Sequence, residues 1–134
     1  MVKRFLLSGI LLLAATGIIQ AQQVPDLKYN PPIPRPAYKS GEGPRVAIDE
    51  AHNNFHTAEG RYRPFAELLR RDGYRVDGLG KPLSAVSLKA VDVLVIANPL
   101  HERNVEDWSL PTPCAFTGDE IAAVRAWAEK GGSW

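Results

Sequence analysis

The chain has 134 residues, of which 45% are hydrophobic, and its 16 lysines and arginines nearly balance 15 aspartates and glutamates. This composition is typical of an ordinary globular protein and disfavours a large basic surface for nucleic acid. Removal of residues 1–21 would change the formal charge from +1 to −1, and neither value implies a strongly charged partner. We therefore predict that the protein has no nucleic-acid partner.

The first 21 residues have the layout of a secretory signal peptide. Met1–Arg4 is basic, Phe5–Ile19 is an apolar run, and Ala21 is a small residue at a suitable cleavage point. A membrane-spanning helix needs about 20 apolar residues, so we expect cleavage and no stable membrane span afterwards. The segment predicts an exported protein, periplasmic or secreted, with an inner-membrane anchor through an uncleaved signal as the alternative.

A proline-rich segment, residues 22–44, separates the signal from the predicted domain. It holds six of the eleven prolines of the chain, which exclude a helix and remove backbone donors that a strand would need. We predict an extended, polyproline-like spacer, and we prefer a passive tether over a proline-recognition ligand. Residues 45–134, about 90 in number, can then form one small domain at most.

The predicted elements of residues 45–134 alternate between strands and helices. Arg45–Asp49 is a short apolar run and predicts a buried strand. Residues 61–72 have apolar side chains at helical spacing and precede Gly73, which predicts the first helix. Residues 74–77 predict a second strand. The continuous β-branched run Val91–Ala97 predicts a third strand that is buried on both faces, as in parallel sheets.

The last predicted helix has the clearest signal in the sequence. Thr117 and Glu120 form a capping box at its start, and the pair Gly131-Gly132 ends it. We expect an apolar stripe on this helix to cover the sheet, formed by Ile121, Val124, Trp127 and Ala128. This order of elements predicts an α/β fold with an open parallel sheet. We expect the sheet to be incomplete, because a helix that ends on a double glycine normally leads into a further buried strand.

Polar side chains are concentrated in two loops that follow predicted strands. The loop Asp49–Thr57 follows the first strand, the loop Asn98–Phe116 follows the third, and together they contain all three histidines of the chain. Open parallel sheets bind ligands outside the carboxyl ends of their strands, so we predict that these loops form a ligand-binding site. The predicted site residues are Asp49, Glu50, His52, Asn53, Asn54, His56, Asn98 and His101.

The residues of these loops leave several interpretations open. His52 and His56, together with Asp49 or Glu50, offer nitrogen and oxygen ligands to a metal ion, although their spacing is not diagnostic. Alternatively, Asp49 and the asparagines bond to loop backbone and cap the first helix, with the histidines solvated. In the second loop, Trp108 either folds over the site or covers the end of the core. The sequence identifies no cofactor, and the metal content stays unknown.

Four segments together resemble the uncharacterised bacterial domain families of the class I glutamine amidotransferase-like superfamily, which are similar to gliding-motility and intraflagellar-transport domains. The segments read VAIDEAHNNFH, YRPFAELLRRDGYRV, VDVLVIANP and FTGDEIAAVRAWAEKGGS. The resemblance implies a flavodoxin-like open parallel sheet. It also implies a C-terminal truncation, because relatives continue after the double glycine into an apolar strand.

Glutaminase activity is not carried over from this resemblance. Amidotransferases have a cysteine on a sharp turn after a central strand, whereas Cys114 lies in a loop before a capped helix. The fold alone does not define a reaction. We therefore predict an exported cell-envelope domain that binds a small ligand or an envelope protein, and we favour a binding protein over an enzyme. The alternative is a metal-assisted hydrolase, in which His52 and His56 help to hold a metal that activates water.

Overall fold

The computed structural model describes residues 24–134, so the predicted signal peptide lies outside the described residues. Within residues 24–134, no helix combines the length and the apolar character needed to cross a membrane.

Three short strands form an open parallel sheet. They are β1 (Arg45–Asp49), β2 (Arg75–Leu79) and β3 (Val93–Val95), and their order across the sheet is β2-β1-β3. At the centre of the sheet, Ala47 pairs with Asp77 on one side and Leu94 on the other. This is the arrangement of an incomplete flavodoxin-like α/β fold, and it confirms the predicted fold class.

The two helices cover opposite faces of the sheet, because successive side chains of β1 point to opposite sides. One face packs against α1 (Arg63–Arg71), and the other packs against α2 (Gly118–Ala128) through Val124 and Trp127. The core on the α1 side consists of Val46, Ile48, Ala58, Ala66 and Val76. The core on the α2 side consists of Ala47, Leu83, Leu88 and Leu94.

Helix α1 begins without a side-chain cap. Its first turn contains Pro64. Proline is tolerated there because a backbone N–H in the first turn would have no acceptor within the helix. The N-cap residue is Tyr62, whose side chain makes no capping hydrogen bond, and its backbone N–H donates to the Thr57 carbonyl at 3.1 Å. The interpretation of Asp49 and the asparagines as caps of this helix is therefore wrong.

Helix α2 begins with the predicted capping box. The backbone N–H of Glu120 donates to Oγ1 of Thr117 at 3.3 Å, and the N–H of Thr117 donates to Oε2 of Glu120 at 2.9 Å. The predicted apolar stripe is wrong at Ile121, which is 48% exposed. Ile121 faces a groove of about 400 Å³ beside the helix, whereas Val124 also reaches the core.

Strand β3 is shorter than the predicted run of residues 91–97. The N–H of Val91 donates to the Leu88 carbonyl at 3.1 Å, so this residue belongs to the preceding turn. On the outer side of β3, Ser133 donates to the Asp92 carbonyl at 3.0 Å and accepts from the Leu94 N–H at 2.9 Å. The chain thus returns to the edge of β3 after α2.

No helix or strand occurs between residues 24 and 44, and part of this segment packs against the domain. The Tyr38 N–H donates to the Asp72 carbonyl at 3.1 Å, and the Gly43 N–H donates to the Gly73 carbonyl at 2.9 Å. The ring of Tyr38 also packs edge-on against Tyr74, with 5.0 Å between the ring centroids. These contacts join the segment to the turn between α1 and β2.

Candidate functional site

The carboxyl ends of β1 and β3 lie at one edge of the sheet, because the two strands are parallel neighbours. The loop 49–57 leaves β1 at this edge and the loop 98–116 follows β3. The His52 carbonyl accepts the Leu100 N–H at 2.8 Å, and the Asn53 side-chain amide donates to the Leu100 carbonyl at 3.2 Å. The two loops of the predicted site are therefore in direct contact.

Three ionisable side chains form a buried network at the base of these loops, which we call the carboxylate–histidine cluster. Nδ1 of His52 lies 2.8 Å from Oδ1 and 2.9 Å from Oδ2 of Asp49, while Nε2 lies 2.9 Å from Oε1 of Glu120. Asp49 is fully buried, and only 7% of His52 and of Glu120 is exposed. The imidazole joins the end of β1 to the first turn of α2.

Glu120 accepts hydrogen bonds from three segments of the chain. Oε1 accepts from His52 and from the Leu83 N–H at 3.1 Å, and Oε2 accepts from the N–H and the hydroxyl of Thr117. Burial on its own raises the pKa of Glu120, but the hydrogen bonds from Thr117, His52 and Leu83 outweigh burial and lower it to about 2. Glu120 is therefore ionised at neutral pH.

His52 is held between two carboxylates. Burial on its own lowers the pKa of the imidazole, but hydrogen bonds and Coulombic attraction from Asp49 and Glu120 outweigh burial and raise it above the ordinary value of 6.5. The imidazolium donates from both nitrogens, whereas the neutral ring donates from only one. The ring of Phe116 packs against the imidazole with 4.5 Å between centroids. The interpretation of the histidines as solvated is wrong for His52.

Asn54 shapes the loop after β1 from a buried position. Its Nδ2 donates to the Asp49 carbonyl at 3.0 Å, and its Oδ1 accepts the His56 N–H at 2.9 Å. The His56 ring is partly exposed and packs edge-on against Tyr62, with 4.8 Å between centroids. Both predicted site residues therefore contribute to the conformation of the loop.

Glu50 faces away from the carboxylate–histidine cluster. Its Oε1 accepts the Ala58 N–H at 2.7 Å. The carboxylate also lies over β2 so closely that a Cβ on Gly78 would be 2.3 Å from Oε1. Glu50 thus packs between the loop and β2, apart from the other acidic residues of the site.

The predicted site residues of the second loop lie outside the cluster. Nδ1 of His101 accepts the Arg103 N–H at 3.1 Å and so caps a short 3-10 helix, Glu102–Val105. Asn98 is exposed. Trp108 is 63% exposed, so the expectation that it covers the end of the core is wrong, and it does not fold over the cluster either.

Sequence reasoning missed Glu120 as a member of the site, because it assigned this residue only to helix capping. A signal was present in the order of elements. In open parallel sheets, the helix that follows a strand begins near the carboxyl edge where ligands bind. A carboxylate in the first turn of such a helix is therefore close to the loops of neighbouring strands.

The donor geometry does not fit a metal site at the first loop. Among residues 24–134, no group of three histidine, cysteine, aspartate or glutamate side chains is arranged to hold a metal ion. Both nitrogens of His52 already face carboxylate oxygens, and Glu50 points to β2. The residues named as candidate ligands therefore do not converge.

No protein-family model, no curated protein and no solved structure matches the chain. The assignment to the α/β class therefore depends on the sheet and the helices described above.

Proposed function

We propose that this protein is an exported cell-envelope domain that binds a small ligand or a partner protein and has no glutaminase activity. The binding surface consists of the loops 49–57 and 98–116. One observation and one general property of such sheets support this location. The loops follow neighbouring parallel strands, and open parallel sheets bind ligands at this edge. Export is supported by the basic and apolar N-terminal sequence.

The environment of His52 is the observation that favours binding over catalysis. A general base must come within hydrogen-bond reach of the proton that it abstracts. The side chain of His52 is 8% exposed, and each of its ring nitrogens faces a carboxylate. Cys114 is exposed and lies in the loop before α2, not on a turn directly after a strand. Neither residue is placed as a reacting group.

Exposed side chains of the two loops provide the proposed contacts. Asn53 and Asn98 are exposed amides that can donate and accept hydrogen bonds. Phe55 is 47% exposed, and the guanidinium of the partly exposed Arg61, which follows the first loop, lies 5.4 Å from the centre of its ring. The two loops therefore present amide and aromatic groups, with a cationic side chain next to Phe55.

A thermal-shift screen of the full-length chain tests this function. The panel contains amino acids, sugars and soluble cell-wall fragments, and calorimetry then measures the affinity of each compound that raises Tm. We expect Phe55→Ala and Asn98→Ala each to weaken binding about tenfold, which corresponds to about 1.4 kcal/mol. Val86→Ala serves as the control, because Val86 is 85% exposed in the connection between β2 and β3. Equal affinity in all four proteins, or no bound compound, would contradict the proposal.

A further inference from the structure

We infer that His52 is a proton-dependent positioning residue that holds the two binding loops together, so that ligand affinity at this surface falls when His52 loses its proton. The consequence for affinity rests on the proposed function. The change in loop position does not, because it follows from the contacts of the cluster alone.

The groups that face the imidazole come from every segment packed around it. The charged groups are both acidic: Asp49 at the end of β1 and Glu120 in α2. The connection between β2 and β3 contributes the backbone N–H of Leu83, which donates to Glu120. The connection between β3 and α2 contributes the ring of Phe116 and the N–H of Leu100, which donates to the His52 carbonyl.

The protonated imidazole fits this environment and the neutral imidazole does not. With both nitrogens protonated, one N–H donates to each carboxylate and the positive charge lies between two negative charges. Loss of the proton leaves a nitrogen lone pair facing a carboxylate oxygen at 2.8 or 2.9 Å. That contact has no hydrogen bond and is repulsive, so one side of the cluster must move away.

The carboxylates themselves are held in place by other donors. Oδ1 of Asp49 accepts the Ala51 N–H at 3.2 Å, and Oε2 of Glu120 is held by Thr117. Rotation of either carboxylate would break these hydrogen bonds. Nδ1 lies within hydrogen-bond distance of both oxygens of Asp49, so Nε2 is the nitrogen that gives up its proton, and its lone pair then faces Oε1 of Glu120. Because Asp49 and His52 share one loop, this repulsion is relieved by separation of the loop 49–57 from the first turn of α2.

This separation reaches both parts of the binding surface. Asp49 and His52 belong to the first loop, and Phe116, which packs on the imidazole, is the last residue of the second loop. The hydrogen bond between the Leu100 N–H and the His52 carbonyl joins the same two loops. The proton on His52 thus controls their spacing.

Nitrogen-15 NMR of the full-length chain between pH 5 and pH 9.5 tests the proton step without any ligand. We expect both nitrogens of His52 to be protonated at pH 6, with a titration midpoint above 6.5. The amide signals of Leu83 and Thr117 should shift along the same titration curve. Glu120→Gln should move the midpoint to lower pH, because it removes one negative charge. Glu129→Gln, an exposed change at the C-cap of the same helix, should leave the midpoint unchanged.

The binding step is tested with each compound identified by the thermal-shift screen. We expect wild-type affinity to fall about fivefold or more between pH 6 and pH 9, while His52→Gln binds equally at both values. A titration midpoint of His52 at or below pH 6.5 would overturn the inference. Amide signals of Leu83 and Thr117 that do not shift with the titration of His52 would also overturn it. If no compound binds, the proposed function fails and the NMR titration still decides the proton step. If His52→Gln does not fold, the change in the His52 titration midpoint caused by Glu120→Gln decides whether the inference holds.

Discussion

His52 and Glu120 are 68 residues apart in the sequence, yet Nε2 of His52 lies 2.9 Å from Oε1 of Glu120. The same carboxylate caps α2 through Thr117 and accepts the N–H of Leu83. One side chain therefore satisfies a helix start, a connecting segment and a buried imidazole at once.

We predict that Glu120→Ala strongly destabilises the fold. The change leaves the imidazole without one carboxylate and leaves the N–H groups of Leu83 and Thr117 without their acceptor. Removal of one partner of a buried ion pair costs about 3 to 5 kcal/mol. Urea unfolding of the full-length chain measures the loss. The exposed Glu129→Ala should change the free energy of unfolding by less than about 0.5 kcal/mol, and an equal loss in both variants would contradict the prediction.

Acid should weaken the fold through Glu120. Its folded pKa of about 2 lies below the ordinary value of 4.5, so its contribution is fully present above pH 4.5 and is lost as pH falls towards 2. The shift corresponds to about 3 kcal/mol. Unfolding free energies of the wild type and Glu120→Gln between pH 5 and pH 2 measure this contribution. The wild type should lose more stability over this interval, and parallel curves for the two proteins would argue against it.

Alkaline conditions should weaken the fold through His52. Because its folded pKa is raised above 6.5, its contribution is fully present below pH 6.5 and is lost as pH rises through the folded pKa. Thermal unfolding at pH values from 6 to 9.5 measures the effect. The Tm of the wild type should fall across this range relative to that of His52→Gln, whose side chain does not titrate. A wild type that gains Tm relative to this variant would contradict the sign.

We predict that Gly78→Ala destabilises the fold through a steric clash, whereas Gly80→Ala causes no clash. A Cβ on Gly78 would lie 2.3 Å from Oε1 of Glu50, whereas a Cβ on Gly80 meets no atom within 4 Å. Glu50 must then move and lose its hydrogen bond from the Ala58 N–H, at a cost of about 1 to 3 kcal/mol. Combination of Gly78→Ala with Glu50→Ala separates the cause. Additive losses in the double variant would show that Glu50 is not responsible.

Local sequence signals predicted most of the elements, because each depends on residues that are close in the chain. The capping box of Thr117 and Glu120 and the stop at Gly73 are such signals, and both occur where expected. The exposure of Ile121 was not predictable from helical periodicity. Periodicity identifies an apolar side of a helix, but the packing of the helix against the rest of the domain decides how much of that side becomes buried.

The two loops of the candidate site could be selected from the sequence, but most of their contacts could not. Parallel pairing of β1 with β3 explains why the loops meet. Sequence reasoning did not foresee that Glu120 would bind His52, because that contact depends on the packing of α2 against the sheet. Glu50 and His52 are two residues apart in one short loop, yet one faces β2 and the other faces α2. Loop backbone geometry sets this difference, and residue type does not reveal it.

The turn at Gly73 has a practical consequence for anyone who wishes to produce this domain alone. Its φ is +98°, and a Cβ at this position would lie 2.3 Å from the Tyr38 carbonyl oxygen, so only glycine fits. The backbone of the segment before β1 is therefore in close contact with this turn. A fragment that starts at Arg45 would deprive the carbonyls of Asp72 and Gly73 of their donors from Tyr38 and Gly43. A fragment of the domain should accordingly begin upstream of residue 37, so that it keeps the donors of Ala37, Tyr38 and Gly43.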